Sequence, residues 1–295
     1  MQMMDDATRF FDRLRPRLHG IAYRMLGSAA EAEEVVQDAW LRWHEAERDA
    51  LDSAEAWLVT VTTRLAIDRL RSAKLQREHY AGIWLPEPLV SDGPPSPEQV
   101  LEQADELSFA FLALLERLAP EARAAFLMRE VFDADYDEVA RTLDKSEAAC
   151  RQLVSRARSQ LRDARPRYTV PPQAHQRLLQ RFAEASVRGD MATLKMLLAE
   201  DAELIGDGGG KVPSFGRPLC GGQRIAQLYY ASHRRFGDAL RVEVAMVNGR
   251  WGLLRFVAGE LESVQSFETD GGRIVRIHAQ RNPDKLARIA DAWRR

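Results

Sequence analysis

Ser146-Glu147-Ala148-Ala149-Cys150-Arg151-Gln152-Leu153-Val154-Ser155-Arg156-Ala157-Arg158 separates its apolar and polar residues onto two sides of a helix. Ala149, Leu153, Ala157 and Leu161 recur at helical spacing and predict a buried face. Ser146, Glu147, Arg151, Ser155, Arg158 and Arg162 fall on the other side. Upstream, Tyr136, Val139, Ala140 and Leu143 predict a shorter helix that packs on the first, across a turn at Asp144-Lys145. That spacing is helix-turn-helix. An α-helix fits the DNA major groove, where arginine pairs bidentately with guanine O6 and N7. Arg151 and Arg158 are therefore candidate base readers, beside Ser146, Glu147 and Ser155, while Arg156 and Arg165 suit phosphates. Periodicity alone fits a solvated basic face equally well.

The surrounding composition bounds the rest. The 295-residue chain is long enough for two or three domains, and its 45% hydrophobic and 29% charged residues are globular in balance. A net charge of −2 argues against a protein that merely coats DNA. The charge is uneven, however: Arg151, Arg156, Arg158, Arg162, Arg165 and Arg167 face only Glu147 and Asp163. Cys150 and Cys220 are far apart and the histidines are scattered, so no disulfide framework, metal site or cofactor is expected. The charged start and the lack of a run of about eighteen apolar residues predict a soluble, cytoplasmic chain without a membrane span.

Working outward, residues 8–76 read as a helical bundle. Phe10, Phe11, Leu14 and Leu18 keep helical spacing, as do Val35, Val36, Ala39, Trp40 and Trp43, with Ser28 and Ser53 as candidate caps. Glu34, Gln37 and Asp38 share one polar face. From Tyr80 to Pro97 prolines and glycines predict a linker. Ile83-Trp84-Leu85-Pro86-Glu87-Pro88-Leu89 lies within it, an apolar string expected to dock on something. After Pro166–Pro172 come two helices, the turn Asp207-Gly208-Gly209-Gly210-Lys211, a further helix, and four strand-like runs. These runs, 240–247, 251–257, 261–269 and 273–279, are broken by the hairpin signals Asn248-Gly249 and Asp270-Gly271-Gly272. Helices followed by an antiparallel meander predict an α+β domain.

The segment from Ser146 to Arg158, with Leu118-Ala119-Pro120-Glu121-Ala122-Arg123 and Phe126 to Phe132 upstream, closely resembles region 4 of extracytoplasmic-function sigma factors. The resemblance implies that the helix from Ser146 reads the −35 promoter element. Cys150 stands where the family usually has an aliphatic residue, and packing is the expected role. Glu31 to Trp43 resembles region 2.2, which implies that Glu34, Gln37 and Asp38 contact core RNA polymerase. Ala56-Trp57-Leu58 and Thr63 to Arg71 resemble regions 2.3 and 2.4, which capture an unpaired base and the backbone of the −10 strand. Arg64, Arg69, Arg71 and Lys74 are the candidates for that contact, with a base-reading loop at 44–53.

The resemblance extends to one subgroup, group 41. Its three signatures are Trp84-Leu85-Pro86-Glu87-Pro88, Asp207-Gly208-Gly209-Gly210-Lys211 and Asn282-Pro283-Asp284-Lys285-Leu286. It implies a multidomain chain: region 2 over 1–78, a linker over 79–105, region 4 over 106–166, and a SnoaL-like, NTF2-like cone with a curved antiparallel sheet over 172–295. The first and third parts are all-α, and the last is α+β. The implied partners are promoter DNA at −10 and −35 and core polymerase, through its β′ clamp helices and β flap. The C-terminal domain is expected to regulate in cis rather than catalyse. A small-molecule ligand is open, with Trp251, Phe256, Phe215, Tyr229 and Tyr230 able to line a pocket or fill a core. The competing reading is a helix-turn-helix regulator with a ligand-sensing or vestigial enzymatic C-terminal domain. It leaves the polar face of Glu34, Gln37 and Asp38 without a role.

Overall fold

The apolar spacing of the first 77 residues becomes α1 (Gln2–Leu26), α2 (Ala29–Glu45) and α3 (Ala54–Arg77). Ser28 caps α2 by accepting from the Glu31 amide at 3.3 Å, and Ser53 accepts from the Ala56 amide at 3.2 Å. Leu18, Ala22, Val35, Val36, Ala39, Leu58 and Ala66 are buried between these helices. After them come β1 (Val90–Ser91), α4 (Phe109–Leu115), α5 (Pro120–Glu130), α6 (Tyr136–Leu143) and α7 (Glu147–Arg162). The computed structural model describes residues 2–47, 51–77, 80–91, 108–162 and 170–293. Two compact units emerge, one of Met1–Glu78 with Leu114–Ala164, the other of His79–Ala113 with Arg165–Arg295.

In the first unit the predicted turn between α6 and α7 is built on Asp144, whose φ of 53° ends α6 in the left-handed region. Ser146 caps α7 by accepting from the Ala149 amide at 3.2 Å. The buried stripe of α7 is Cys150, Val154, Ala157 and Leu161. The sequence points to Ala149 and Leu153, which are exposed and half-buried respectively; the buried face is turned by one residue, onto Cys150 and Val154. Burial pushes the Cys150 thiol above its usual range, as suits a packing role.

The second unit is built on a seven-stranded sheet in the order β1-β4-β5-β6-β7-β2-β3. Its further elements are α8 (Pro172–Arg188), α9 (Met191–Leu197), β2 (Leu198–Asp207), β3 (Leu219–Cys220), α10 (Gly222–Phe236), β4 (Leu240–Val247), β5 (Arg250–Val257), β6 (Glu260–Thr269), β7 (Ile274–Gln280) and α11 (Pro283–Trp293). Alternate residues of the strands feed two cores. Val242, Val244, Trp251, Leu253 and Phe267 join α8, α9 and α10. Ala245, Val247, Leu254, Phe256 and Val264 join Leu286 and Ile289 of α11. That is the period of two of a sheet covered on both faces. Asn248 and Gly249 both have positive φ, as a tight hairpin turn requires.

Two expectations are corrected. The sheet is not wholly antiparallel: β2 is ten residues long and runs parallel to β7, so the glycine turn leaves the sheet at the end of a central strand. The apolar string does not lead a separate linker. Residues 80–91 belong to the second unit, where β1 extends the sheet by pairing with β4.

Candidate functional site: a buried carboxylate that gathers three motifs

Asp207, the last residue of β2, has no exposed surface. Its Oδ1 accepts from the Tyr80 hydroxyl at 2.6 Å and from the Gly209 amide at 2.9 Å. Its Oδ2 accepts from the Leu85 amide at 2.9 Å, Gln280 Nε2 at 3.2 Å and Lys285 Nζ at 2.7 Å. A buried carboxylate is tolerated only when paired and hydrogen-bonded, and five donors meet that condition here. Tyr80 and Leu85 come from the segment before β1, Gly209 from the glycine turn, Gln280 from β7 and Lys285 from α11. Asp207 is thus where the three sequence motifs converge.

The apolar string is seated by its backbone as well as its side chains. Lys285 Nζ donates to the Leu85 carbonyl at 2.6 Å and lies 4.1 Å from the centre of the Trp84 ring. Gln280 Nε2 shares its hydrogens between the carbonyls of Leu85 and Pro86, at 3.1 and 3.0 Å. Leu85, Pro86, Glu87 and Pro88 are buried. Asn248, at the β4–β5 hairpin, donates its amide to Leu89 O at 2.8 Å and accepts from Leu89 N at 3.1 Å.

The glycines are needed for close approach. A Cβ on Gly208 would stand 2.2 Å from the Val212 carbonyl oxygen, and one on Gly209 would stand 2.4 Å from the Asn282 side chain. Asn282 donates to Tyr80 Oη at 3.0 Å and caps α11 by accepting from the Asp284 amide at 3.1 Å. Pro283 opens that helix, where its missing amide costs nothing. Lys211 pairs with Asp284 at the exposed rim. Burial, and then the Asp207 carboxylate, push the Tyr80 phenol above its ordinary value. Tyr80 and Gln280 were not singled out from sequence. Each lies one to four residues from a recognised motif, and proximity was the only available signal.

In the first unit, Glu34, Gln37 and Asp38 share the outer face of α2, and Arg69 of α3 pairs with both carboxylates, with Asp38 at 3.0 Å. Arg64 donates through Nε to Thr142 O at 2.9 Å and through Nη2 to Arg141 O at 2.8 Å, both at the end of α6. Arg71 pairs with Glu121 of α5 at 2.6 Å. Lys145 and Arg71 hold the Glu121 carboxyl below its usual range. Arg158 makes a two-pronged contact with Glu130, at 3.0 and 2.5 Å. Arg151 pairs with Glu147 at 2.9 Å and lies 4.1 Å from the centre of the Tyr136 ring. Ser155 and Arg156 are exposed, and Ser146 is the α7 cap. The Lys74 side chain and residues 48–50 of the expected base-reading loop lie outside the described residues. Of the candidate DNA groups on α3, Arg64 is therefore bonded to the helix-turn-helix, Arg71 to α5 and Arg69 to α2.

Of the aromatic residues proposed for a pocket, Phe215 and Tyr229 line a cavity. Phe256 and Trp251 belong to the two cores, and Tyr230 is exposed on α10. Among the described residues no cluster of three or more His, Cys, Asp or Glu could hold a metal ion. No described helix is long and apolar enough to cross a membrane.

A three-helix bundle joined to a helix-turn-helix whose second helix exposes Arg151, Arg156 and Arg158 defines a DNA-recognition class. Residues 10–76 match the Sigma-70 region 2 model and residues 108–161 match Sigma-70 region 4. The chain is 37% identical over 291 residues to the ECF RNA polymerase sigma factor SigJ of Mycobacterium tuberculosis, covering 94% of this chain and 92% of that one. It is 31% identical to the probable ECF RNA polymerase sigma factor SigI of the same species, covering 97% of each. The crystal structure of M. tuberculosis SigJ superposes with a TM-score of 0.76 at 32% identity, covering 95% of this chain and 98% of that one. The chain belongs to the ECF RNA polymerase sigma factor family. Its function is to direct RNA polymerase to specific promoters, and its C-terminal part is a domain of helices on a mixed sheet.

Proposed function

We propose that the SnoaL-like domain controls this sigma factor in cis by holding the segment that follows region 2. The observation that supports this reading is Asp207, whose buried carboxylate accepts from Tyr80 and Leu85 of that segment and from Lys285 of α11. Promoter recognition requires region 2 and region 4 to reach two separated DNA elements. A state in which Arg64 is bonded to the carbonyls of Arg141 and Thr142 has that arginine occupied. Docked, the segment 80–91 adds a strand to the sheet and shortens the chain available between the two regions. Release of the segment then shifts the population towards the open, DNA-competent form.

In the same reading the α2 face carrying Glu34, Gln37 and Asp38 contacts the β′ clamp helices, and region 4 contacts the β flap. Arg64, Arg69, Arg71 and Lys74 engage the −10 strand. Ser146, Glu147, Arg151, Ser155, Arg156 and Arg158 engage the −35 element. The protein acts in the cytoplasm by binding and performs no chemistry. Transcription and core polymerase affinity, measured separately on Asp207 variants, test the proposal: the first should change and the second should not.

A further inference from the structure

Between α10, the loop at 213–215 and the strands β5, β6 and β7 lies a cavity of about 510 Å³, within the range of small-molecule sites. One wall is apolar, made by Phe215, Leu228, Phe236 and Val257. Phe215 and Leu228 are 38% and 37% exposed, an unusual state for large apolar groups at the mouth of a hollow. The inner end is charged. The Arg281 guanidinium pairs with Glu262 at 2.5 Å, and Arg255 Nε stands 3.5 Å from the same carboxylate. That second distance gives Coulomb attraction without a hydrogen bond. The Nε atoms of both arginines are buried and have no hydrogen-bond partner, although only 11% of the Arg255 side chain is exposed. The lining holds Arg235, Arg255 and Arg281 against Glu262 alone, a formal excess of two positive charges.

We propose that this cavity binds a small amphipathic anion, an apolar body carrying one carboxylate or sulfonate. Buried donors without acceptors carry a desolvation cost that an anionic oxygen removes. Excess positive charge in a hollow with apolar walls favours that oxygen over a neutral one. The polar groups at the inner end are chained to one another: Tyr229 donates to Gln265 at 2.8 Å, Gln265 to Ser263 at 3.1 Å, and Ser263 to Glu262 at 2.8 Å. The Glu262 carboxylate is engaged by Arg281, by the nearby Arg255 and by the Ser263 hydroxyl, so the arrangement suits binding rather than turnover. The site adjoins the Asp207 cluster through backbone, Gly206 preceding Asp207 and the Arg281 amide donating to the Asp207 carbonyl at 2.8 Å, but it shares no side chain with the clamp, and its test uses side chains outside the clamp.

Calorimetric titration of the full chain with decanoate, decanol and decylammonium decides the matter. Decanoate should bind saturably at one site, and decanol and decylammonium at least roughly tenfold more weakly. Leu228→Trp, which fills the mouth without touching the polar network, should abolish decanoate binding while the thermal transition is unchanged. Arg255→Met should weaken decanoate and leave decanol unaffected. Equal affinity for decanoate and decanol would overturn the proposal. So would unchanged binding by Leu228→Trp, or no saturable decanoate binding at millimolar concentration.

Discussion

Lys285 and Asp207 are 78 residues apart in sequence, and the ammonium of one stands 2.7 Å from the carboxylate of the other. Asp207 has no exposed side-chain surface and Lys285 only 13%. Removing one partner of such a pair leaves the other charge desolvated, which costs about 3–5 kcal/mol. Asp207→Asn should therefore lower the unfolding free energy of the second unit substantially in urea. Asp207→Asn combined with Lys285→Met should cost less than the sum of the single changes. Strict additivity would mean that the two groups do not act as a pair.

Two buried histidines make the same unit sensitive to acid. Burial holds His175 below its usual value and pushes His278 from 6.5 down to about 3. His278 is therefore neutral despite lying 3.9 Å from Glu268. Between 6.5 and 3 the unfolded chain binds a proton that the folded chain does not. Stability present above pH 6.5 is lost as pH falls, by at most about 1.4 kcal/mol per pH unit for each histidine. Burial raises the Glu268 carboxyl, which offsets part of the loss. His278→Gln should flatten the dependence of Tm on pH between 6.5 and 5. An unchanged slope would refute the assignment.

Much of this architecture is legible in the sequence because its signals are local. The four strand runs fall within a residue of β4 to β7 at every end, since Asn248-Gly249 and Asp270-Gly271-Gly272 fix two of the turns. The turn at Ala258-Gly259 carries weaker chemistry, and its alanine is held at a φ of 51° by the hairpin itself. The parallel pairing of β2 with β7 was not legible, because it joins segments some 70 residues apart through no local pattern. The same holds for the partners of Asp207. The motifs named most of the residues, but only the fold shows that Tyr80, Gln280 and Asn248 complete the docking surface. Arg64 read as a DNA group, and its bonds to Arg141 and Thr142 depend on a tertiary contact that periodicity does not encode.

That contact is open to test. Arg64→Ala removes two hydrogen bonds from a half-exposed surface, a change of about 1 kcal/mol. Deuterium uptake at the amides of residues 136–145 should rise in the free protein. Uptake equal to that of the unaltered chain would show that Arg64 does not hold α6.

On α7, Arg151→Ala and Arg158→Ala should each weaken −35 binding. A base-reading arginine contributes roughly 1–3 kcal/mol of discrimination, whereas loss of a phosphate contact weakens all sequences alike and lowers the salt slope by about 1. Arg158 must exchange Glu130 for DNA, so Glu130→Gln should strengthen binding to any duplex. Unaltered affinity in all three variants would place the DNA on another face.

Whether docking of residues 80–91 restrains transcription can be tested directly at the β1–β4 pairing. Val90 and Val247 are cross-strand partners, and the adjoining bond from Asn248 N to Leu89 O makes them a non-hydrogen-bonded pair. Their Cα atoms are then about 4.5 Å apart, within reach of a disulfide. The measurement is promoter-specific transcription by core polymerase with Val90→Cys/Val247→Cys protein, oxidised and then reduced, in a background of Cys150→Ala and Cys220→Ser. The oxidised form should bind core polymerase normally and yield less transcript, and reduction should restore the yield. Equal transcription from the oxidised and reduced forms, or more from the oxidised one, would contradict control by this contact.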